Sequence, residues 1–394
     1  MSSPHTSGFL QRNGIVFVVG AAILLAATGL LMLASTGAYA LDGTADGHSG
    51  LRRQVIYCLG GLGLMAFLAF LDYRLLERYI LPIAGIMVVL LALCYVPGVG
   101  MEINGERRWI SARSLGFNFS FQPSEPAKIA TVVLIAWWYA GRPLRSHTWW
   151  QGFVIPCLLL AVPVLLIGFE KDLGTAALVG LAGVLMMFVA GARIRYLAMP
   201  AAGGFALLAA AVVAIPQRMD RLLAFSDLEA HRMGAGLQQW RALLALGSGG
   251  IEGRGYGNGI EKMFYTPYAH TDFIFPMIGE EFGLVGTLVV VFLFVLLVVV
   301  GILVSLNARD LFGRLLGIGL TSVIAIQALI NIGVTTALLP NKGMPLPFIS
   351  YGGSSLVTML MCIGILINIH RQAMGRGRNP ADPLLAGPQI TPRL

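Results

Sequence analysis

The sequence predicts an all-α, polytopic membrane protein with about ten transmembrane helices, and three observations predict it. Apolar residues make up 57% of the 394 and charged residues 12%, about half the charge of an ordinary soluble domain. The apolar residues are gathered in runs of roughly 17–25, the length that crosses a bilayer core of about 30 Å. The charges cluster between those runs, with basic pairs at alternate junctions, the pattern that sets topology.

In chain order the first run is 14–35. Arg12 precedes it, and Ala38-Tyr39-Ala40 has the form of a leader cleavage site. Yet the run is about 20 residues long, against about 7–15 for a leader's apolar core, so it reads as an uncleaved helix. Runs at 54–72, 79–96, 126–141, 152–169, 174–191 and 196–215 follow. The eighth, 274–305, would rise about 48 Å as one helix, too much for a single crossing. Gly279, Gly283 and Gly286 punctuate it. It is expected to divide into an interfacial or re-entrant piece, 273–286, and a span, 287–305. Glu280 and Glu281 then lie near the membrane surface, where adjacent carboxylates cost less than at mid-bilayer. Spans at 315–339 and 353–370 complete the set.

No soluble domain is expected. Residues 1–13 read as a short cytoplasmic N-terminus and 14–370 as one membrane domain with a large extracytoplasmic loop at 216–273. The tail, 371–394, carries Pro380, Pro383, Pro388 and Pro392 among arginines and glycines, a composition that reads as disordered. With both termini cytoplasmic, the inner connections hold Arg74 and Arg78, Arg142 and Arg145, Arg193 and Arg195, Arg309 and Arg314, and the tail Arg371, Arg376 and Arg378. Short loops carry the positive-inside rule. Arg52 and Arg53 fall outside and count against it. Trp137, Trp138, Trp149 and Trp150 bracket one inner loop as an interfacial belt would. The segments rich in glycine, proline and polar residues (97–125, 216–273 and 340–352) then all face outward.

A net charge of +8 does not point to nucleic acid, because the basic residues cap apolar spans rather than forming a stripe. Cys58, Cys94, Cys157 and Cys362 lie in or beside apolar runs with no CxxC pair. They read as small apolar fillers, not as a disulfide framework or a zinc site.

Five strings stand out. Pro340–Ser355 has too much proline and glycine for a regular helix. Either it is a rigid turn, or the N–H groups of Tyr351–Ser355, with Lys342, hold phosphate. His270-Thr271-Asp272 enters the eighth run; Thr271 or Asp272 is a helix cap, or Asp272 is a general base tuned by His270, Glu280 and Glu281. In Phe121–Lys128, Ser124 or Glu125 fits the cap of the fourth helix. Glu125 and Lys128, three apart, form a structural ion pair or contact ligand. Glu170–Thr175 is a tight outer hairpin. The glycines from Gly247 to Gly259, with Arg218, Arg221, Arg232, Arg241, Arg254 and Lys262 in the same connection, read as a flexible loop or lid whose charges are solvated or attract an anionic headgroup.

In this order, Phe121–Lys128, His270–Phe275 with Gly279–Gly286, and Pro345–Ser355 resemble the SEDS family of shape, elongation, division and sporulation proteins. The likeness runs over roughly residues 10–372 and implies the SEDS-type fold. Gly257–Tyr265 and the Asn341-Lys342-Gly343 before Met344 resemble the division branch more than the elongation branch. The resemblance implies a peptidoglycan glycosyltransferase that polymerises lipid II on the outer membrane face, with elongation polymerase or lipid II flippase as alternatives. It implies a class B penicillin-binding transpeptidase and other division membrane proteins as partners. The family's essential aspartate falls on Asp272, the expected catalytic residue, and its conserved Glu and Lys on Glu125 and Lys128. With Lys342, His270, Ser350, Ser354 and Ser355 these form the expected substrate-binding set. A divalent cation is the one cofactor admitted, without a dedicated ligand cage. The chain departs from the family at Lys171, Arg241-Ala242 and Tyr268, which receive no role.

Overall fold

The computed structural model describes residues 4–37, 49–97, 99–103, 106–111, 120–213, 215–262 and 271–374. Ten helices fall on the ten predicted runs: α1 (Pro4–Gly37), α2 (Ser49–Phe70), α4 (Ile80–Leu93), α5 (Ser124–Ala140), α6 (Ile155–Phe169), α7 (Leu173–Val189), α8 (Ile194–Val213), α11 (Ile274–Leu306), α12 (Leu311–Thr335) and α13 (Gly353–Met374). Short helices α3 (Arg74–Arg78), α9 (Pro216–Ser226) and α10 (Leu237–Gly249) lie in connections. Among the described residues six helices are long and apolar enough to cross a bilayer by themselves, with α4 and α7 as shorter apolar helices. The chain is a multi-pass membrane protein.

The bundle is wrapped by an apolar surface. On α11, Leu288, Phe292, Val295 and Val299 are all more than half exposed, while Val290, Leu297 and Val304 on the opposite side are buried. That outer stripe would be a liability in water but meets lipid at no cost. Inside, α12 and α13 are buried on nearly every face and pack against α11 and α2 respectively, while α1 runs along α11.

Two expectations are corrected. The all-α reading places no strand anywhere, but the connection at 97–125 holds a three-stranded antiparallel sheet in the order β1-β2-β3, with β1 Gly100–Ile103, β2 Glu106–Ser111 and β3 Ser120–Phe121. Its strands are too short for an alternation signal to emerge from sequence. The large connection, read as loop, contains the helices α9 and α10.

The eighth run does divide, but at Gly283, whose φ of 66° and ψ of −162° interrupt α11. A β-carbon there would stand 2.3 Å from the carbonyl oxygen of Ile251, so only glycine admits the approach. The glycine-rich segment threads this break: Arg254 and Gly255 N–H donate to the carbonyls of Glu280 and Glu281, and Leu284 N–H to that of Gly250.

At the basic end the connections lock together. Asp310 caps α12 through Gly313 N–H at 2.7 Å and accepts from the Tyr73 hydroxyl at 2.9 Å. It also meets Arg74 at 3.0 Å. Arg142 stacks on Trp138 at 3.9 Å, and Trp149 packs edge-on against Tyr196.

Candidate active site

The site forms at the other end of the bundle, and Asp272 is its centre. The sequence left Asp272 open between helix cap and base. The structure places Phe273 at the N-cap of α11, with no side-chain cap bond, so Asp272 is not spent on capping. Its backbone is held instead. Asn331 on α12 donates from Nδ2 to the Asp272 carbonyl at 2.8 Å and to the Met344 carbonyl at 2.6 Å. Ser350 Oγ donates to the neighbouring Thr271 carbonyl at 2.6 Å and accepts from Leu346 N–H at 2.8 Å. One helix therefore clamps the two motifs, 271–273 and 340–352, edge to edge.

Gly343 makes the contact close: a β-carbon built on it would lie 2.6 Å from Asp272 Oδ2. Its φ is not positive, so alanine suits the backbone and only the carboxylate is in the way. Gly343→Ala is expected to leave thermal stability nearly unchanged and lower turnover at least ten-fold by displacing Asp272, since misplacement by about 1 Å costs roughly 10²-fold. A Gly343→Ala protein turning over at the wild-type rate would place the working end of Asp272 elsewhere.

The charges around Asp272 come from four separate parts of the chain. Asp172 caps α7, accepting from Thr175 N–H at 3.1 Å and Thr175 Oγ1 at 2.8 Å. It also faces two cations, Arg108 of β2 at 3.5 Å and Lys342 at 3.9 Å. Arg218 of α9 donates to the Lys171 carbonyl at 3.2 Å, and Arg221 lies one turn further along α9. Lys171 (φ 64°) and Phe348 (φ 65°) hold left-handed conformations in the two turns that deliver Asp172 and the 340–352 segment. Such conformations cost about 1–3 kcal/mol each and persist where surrounding structure holds them.

These charges set the ionisation of the site. Burial pushes the Asp272 carboxyl up to about 6; Asp172 adds to the rise, and Arg108, Lys342 and Arg221 pull against it. Burial likewise presses the Lys342 ammonium down to about 8, helped by Arg108, Arg218 and Arg221 and opposed by Asp172. Burial also opposes ionisation of Asp172, but Arg108, Lys342 and the Thr175 hydrogen bonds outweigh it, so Asp172 sits below the usual carboxylate range. Glu170, two residues away, is pushed up to about 8 by burial and by Asp172. Near neutral pH the site thus holds one firm carboxylate, Asp172, and one poised to exchange a proton, Asp272.

The other expected residues fall differently. His270 lies outside the described residues. Glu125 and Lys128 form a pair at 2.8 Å with 3% and 2% of their surfaces exposed. Lys128 Nζ also donates to Gln327 Oε1 at 2.8 Å, and Gln327 Nε2 to the Pro345 carbonyl at 2.9 Å. The pair braces the 340–352 segment from beneath rather than lining an open face. Neither Ser124 nor Glu125 caps α5, because Pro123 occupies the N-cap. Ser354 accepts from Gln122 N–H at 3.3 Å, and Gly352 N–H donates to Gln54 Oε1 at 3.3 Å. Ser355 is buried in the first turn of α13. Of the expected phosphate nest, Gly352 N–H is engaged in holding the turn, as are the Ser350 and Ser354 hydroxyls.

Glu280 and Glu281, expected to tune Asp272, are engaged elsewhere. Glu280 accepts from Ile260 N–H at 2.8 Å. Glu281 accepts from Gly257 N–H at 3.0 Å and pairs with Lys262 at 2.5 Å. The glycine segment expected as a flexible lid is pinned by these two carboxylates. Arg108 was missed altogether, and Asp172 was read only as a hairpin charge. Neither has a local signal, because an arginine in a short strand and an aspartate before a helix are individually ordinary.

Fold and site together define a polytopic membrane protein that carries a buried carboxylate, Asp272, among cations at one end of its bundle. The chain belongs to the cell cycle protein family of FtsW, RodA and SpoVE, whose model matches residues 16–375. It is 38% identical over 366 residues to a probable peptidoglycan glycosyltransferase FtsW of Geobacter sulfurreducens, covering 93% of this chain and 97% of the relative. It is 36% identical over 353 residues to the stage V sporulation protein E of Bacillus subtilis, covering 89% and 94%. Among solved structures it is similar to the rod shape determining protein RodA of Thermus thermophilus, with TM-score 0.67 and 31% identity over 92% of this chain and 97% of that one. A chain from a peptidoglycan synthase complex that coordinates polymerization and crosslinking matches with TM-score 0.73 and 30% identity over 91% and 98%.

Proposed function

We infer that this chain is a peptidoglycan glycosyltransferase that polymerises lipid II, in septal wall synthesis, with a class B penicillin-binding transpeptidase and other division membrane proteins as partners. One observation carries the reading: an uncapped Asp272 carboxylate beside Arg108, Lys342 and Arg221 at one end of the bundle. The basic end, with Arg74, Arg142 and Arg193, is cytoplasmic in this reading, as are both termini, and the site faces outward. A lipid-linked substrate that carries its own pyrophosphate leaving group needs no nucleotide there.

Asp272 takes the proton of the acceptor GlcNAc 4-hydroxyl. The oxygen attacks the anomeric carbon of the donor MurNAc from the face opposite its phosphate. The carbon–oxygen bond to undecaprenyl pyrophosphate breaks, the centre inverts, and a β-1,4 link results. Arg108, Lys342, Arg218 and Arg221 bear the charge that grows on the departing pyrophosphate. Among the described residues no three His, Cys, Asp or Glu side chains gather as a metal-ligand set. Glu125 and Lys128 position the 340–352 segment. His270, Ser350, Ser354 and Ser355 are given no chemical step.

The purified chain, alone and with a class B penicillin-binding protein, is to be given labelled lipid II and its products sized on a gel. Glycan strands are expected, with a bell-shaped pH profile. The base form of Asp272 is lost as pH falls through about 6, and the Lys342 charge is lost as pH rises through about 8. Headgroup translocation across liposomes without strands would make the protein a flippase instead.

A further inference from the structure

Asp172 is an aspartate where the helix cap alone requires none. An asparagine accepts the N2 or N3 N–H equally well, so the bond from Thr175 leaves the negative charge unexplained. That charge is 3% exposed and faces Arg108 at 3.5 Å and Lys342 at 3.9 Å. The two cations reach it from different elements, the sheet and the 340–352 segment. Asp272 feels both, yet among the described residues it forms no ion pair within 4 Å. Of the two carboxylates, Asp172 is the one within 4 Å of both cations. Both contacts are longer than a tight charge-assisted hydrogen bond of about 2.7–2.9 Å, so Asp172 faces the two cations without closing tightly on either.

We propose that Asp172 is a positioning residue that holds Arg108 and Lys342 together as a pyrophosphate subsite and keeps them from neutralising Asp272. This rests on the glycosyltransferase reading above. Without an anion, Asp172 balances the two cations. When a pyrophosphate enters, it shares them, and Asp172 fixes where they stand. In either state Asp272 keeps an unpaired carboxylate. Among the described residues, Arg108 from β2, Lys342 from the 340–352 segment and Arg221 from α9 act on Asp272 together with Asp172; Arg108 and Lys342 act on Asp172, Glu170 at the end of α6 lies beside it, and Arg218 of α9 acts on Lys342.

The sign of the effect is set by this geometry. Removing the Asp172 charge takes away a repulsion on ionised Asp272 and releases two cations toward it, so Asp272 becomes the stronger acid and the weaker base. Asp172→Asn keeps the cap. It is expected to move the acid limb of the turnover profile down by about one pH unit and to lower kcat near pH 7 about ten-fold. Inorganic pyrophosphate should inhibit it less, because the cation pair is no longer assembled. Arg108→Gln removes a cation and should move the same limb upward.

The experiment is the kcat and KM profile from about pH 5 to 9 for the wild type, Asp172→Asn and Arg108→Gln. Alongside it goes a ¹³C carboxylate titration of Asp272 in detergent, assigned with Asp272→Asn. Opposite shifts in the two variants support the proposal. A folded Asp172→Asn with an unchanged limb and kcat would reduce Asp172 to a helix cap. Inactivity at every pH with an unshifted Asp272 titration would put Asp172 in contact with the reacting atoms and overturn the positioning role. The titration needs no turnover, so it decides the proposal even if the wild type makes no glycan. That last result would sink the glycosyltransferase reading instead.

Discussion

Asp272→Asn is expected to lower lipid II polymerisation by about 10²–10⁴-fold, the range general-base catalysis contributes, while leaving the fold intact. Asparagine occupies nearly the same volume. The contacts that hold this turn, from Asn331 Nδ2 to the Asp272 carbonyl and from Ser350 Oγ to the Thr271 carbonyl, involve only backbone acceptors. Removing the charge also removes repulsion from Asp172, so stability should not fall. The measurement is initial rate against thermal midpoint for the same preparation. Asp272→Asn making strands at the wild-type rate would refute the base assignment, and a fall in rate matched by a fall in midpoint would show only that the turn had been damaged.

Glu281→Gln is expected to destabilise the protein by about 3–5 kcal/mol, because removing one partner of a buried ion pair leaves the other charge without compensation. Lys262 and Glu281 meet at 2.5 Å with side chains 1% and 0% exposed. Ser35 of α1 completes the group: Lys262 donates to its Oγ at 2.6 Å, and that Oγ donates to Glu281 at 2.6 Å. Three elements are therefore tied at the Gly283 break: α1, the glycine segment and α11. The double variant Lys262→Met with Glu281→Gln should recover a large part of the loss, since neither half leaves a buried charge. Thermal unfolding of the two single variants and the double closes the cycle. Additive losses would mean the pair is not coupled, contrary to its geometry.

Asp272 and the Glu280–Glu281 pair differ in how much of each is legible in the sequence. Asp272 stood out because an acidic residue at the mouth of a long apolar run is costly and therefore informative. Only the structure removed the cap reading, by placing Phe273 at the cap position. Glu280 and Glu281 stood out for the same reason, and there the sequence reading misassigned them to Asp272. Their partners are the N–H groups of Gly257 and Ile260 and the Lys262 ammonium, some 20 residues upstream, brought close because glycines let the segment pass through the break in α11. Glu125 and Lys128 were readable as a pair from their spacing of three. That they brace the 340–352 segment through Gln327 was not, because Gln327 lies in the middle of α12 with nothing local to mark it.

What the sequence by itself determined is the membrane architecture: ten apolar runs became ten helices, with basic connections at one end and the irregular motifs at the other. Hydropathy and helix length are local properties, and a bilayer reads them locally, so the chain alone suffices. What only the tertiary structure decided is the company Asp272 keeps. Arg108 comes from a strand in one connection, Asp172 from the cap of α7, Lys342 from the turn before α13 and Arg221 from α9. Charges interact through space, over a few ångströms that no sequence separation encodes, and so the environment that raises the Asp272 pKa appears only once the helices are packed.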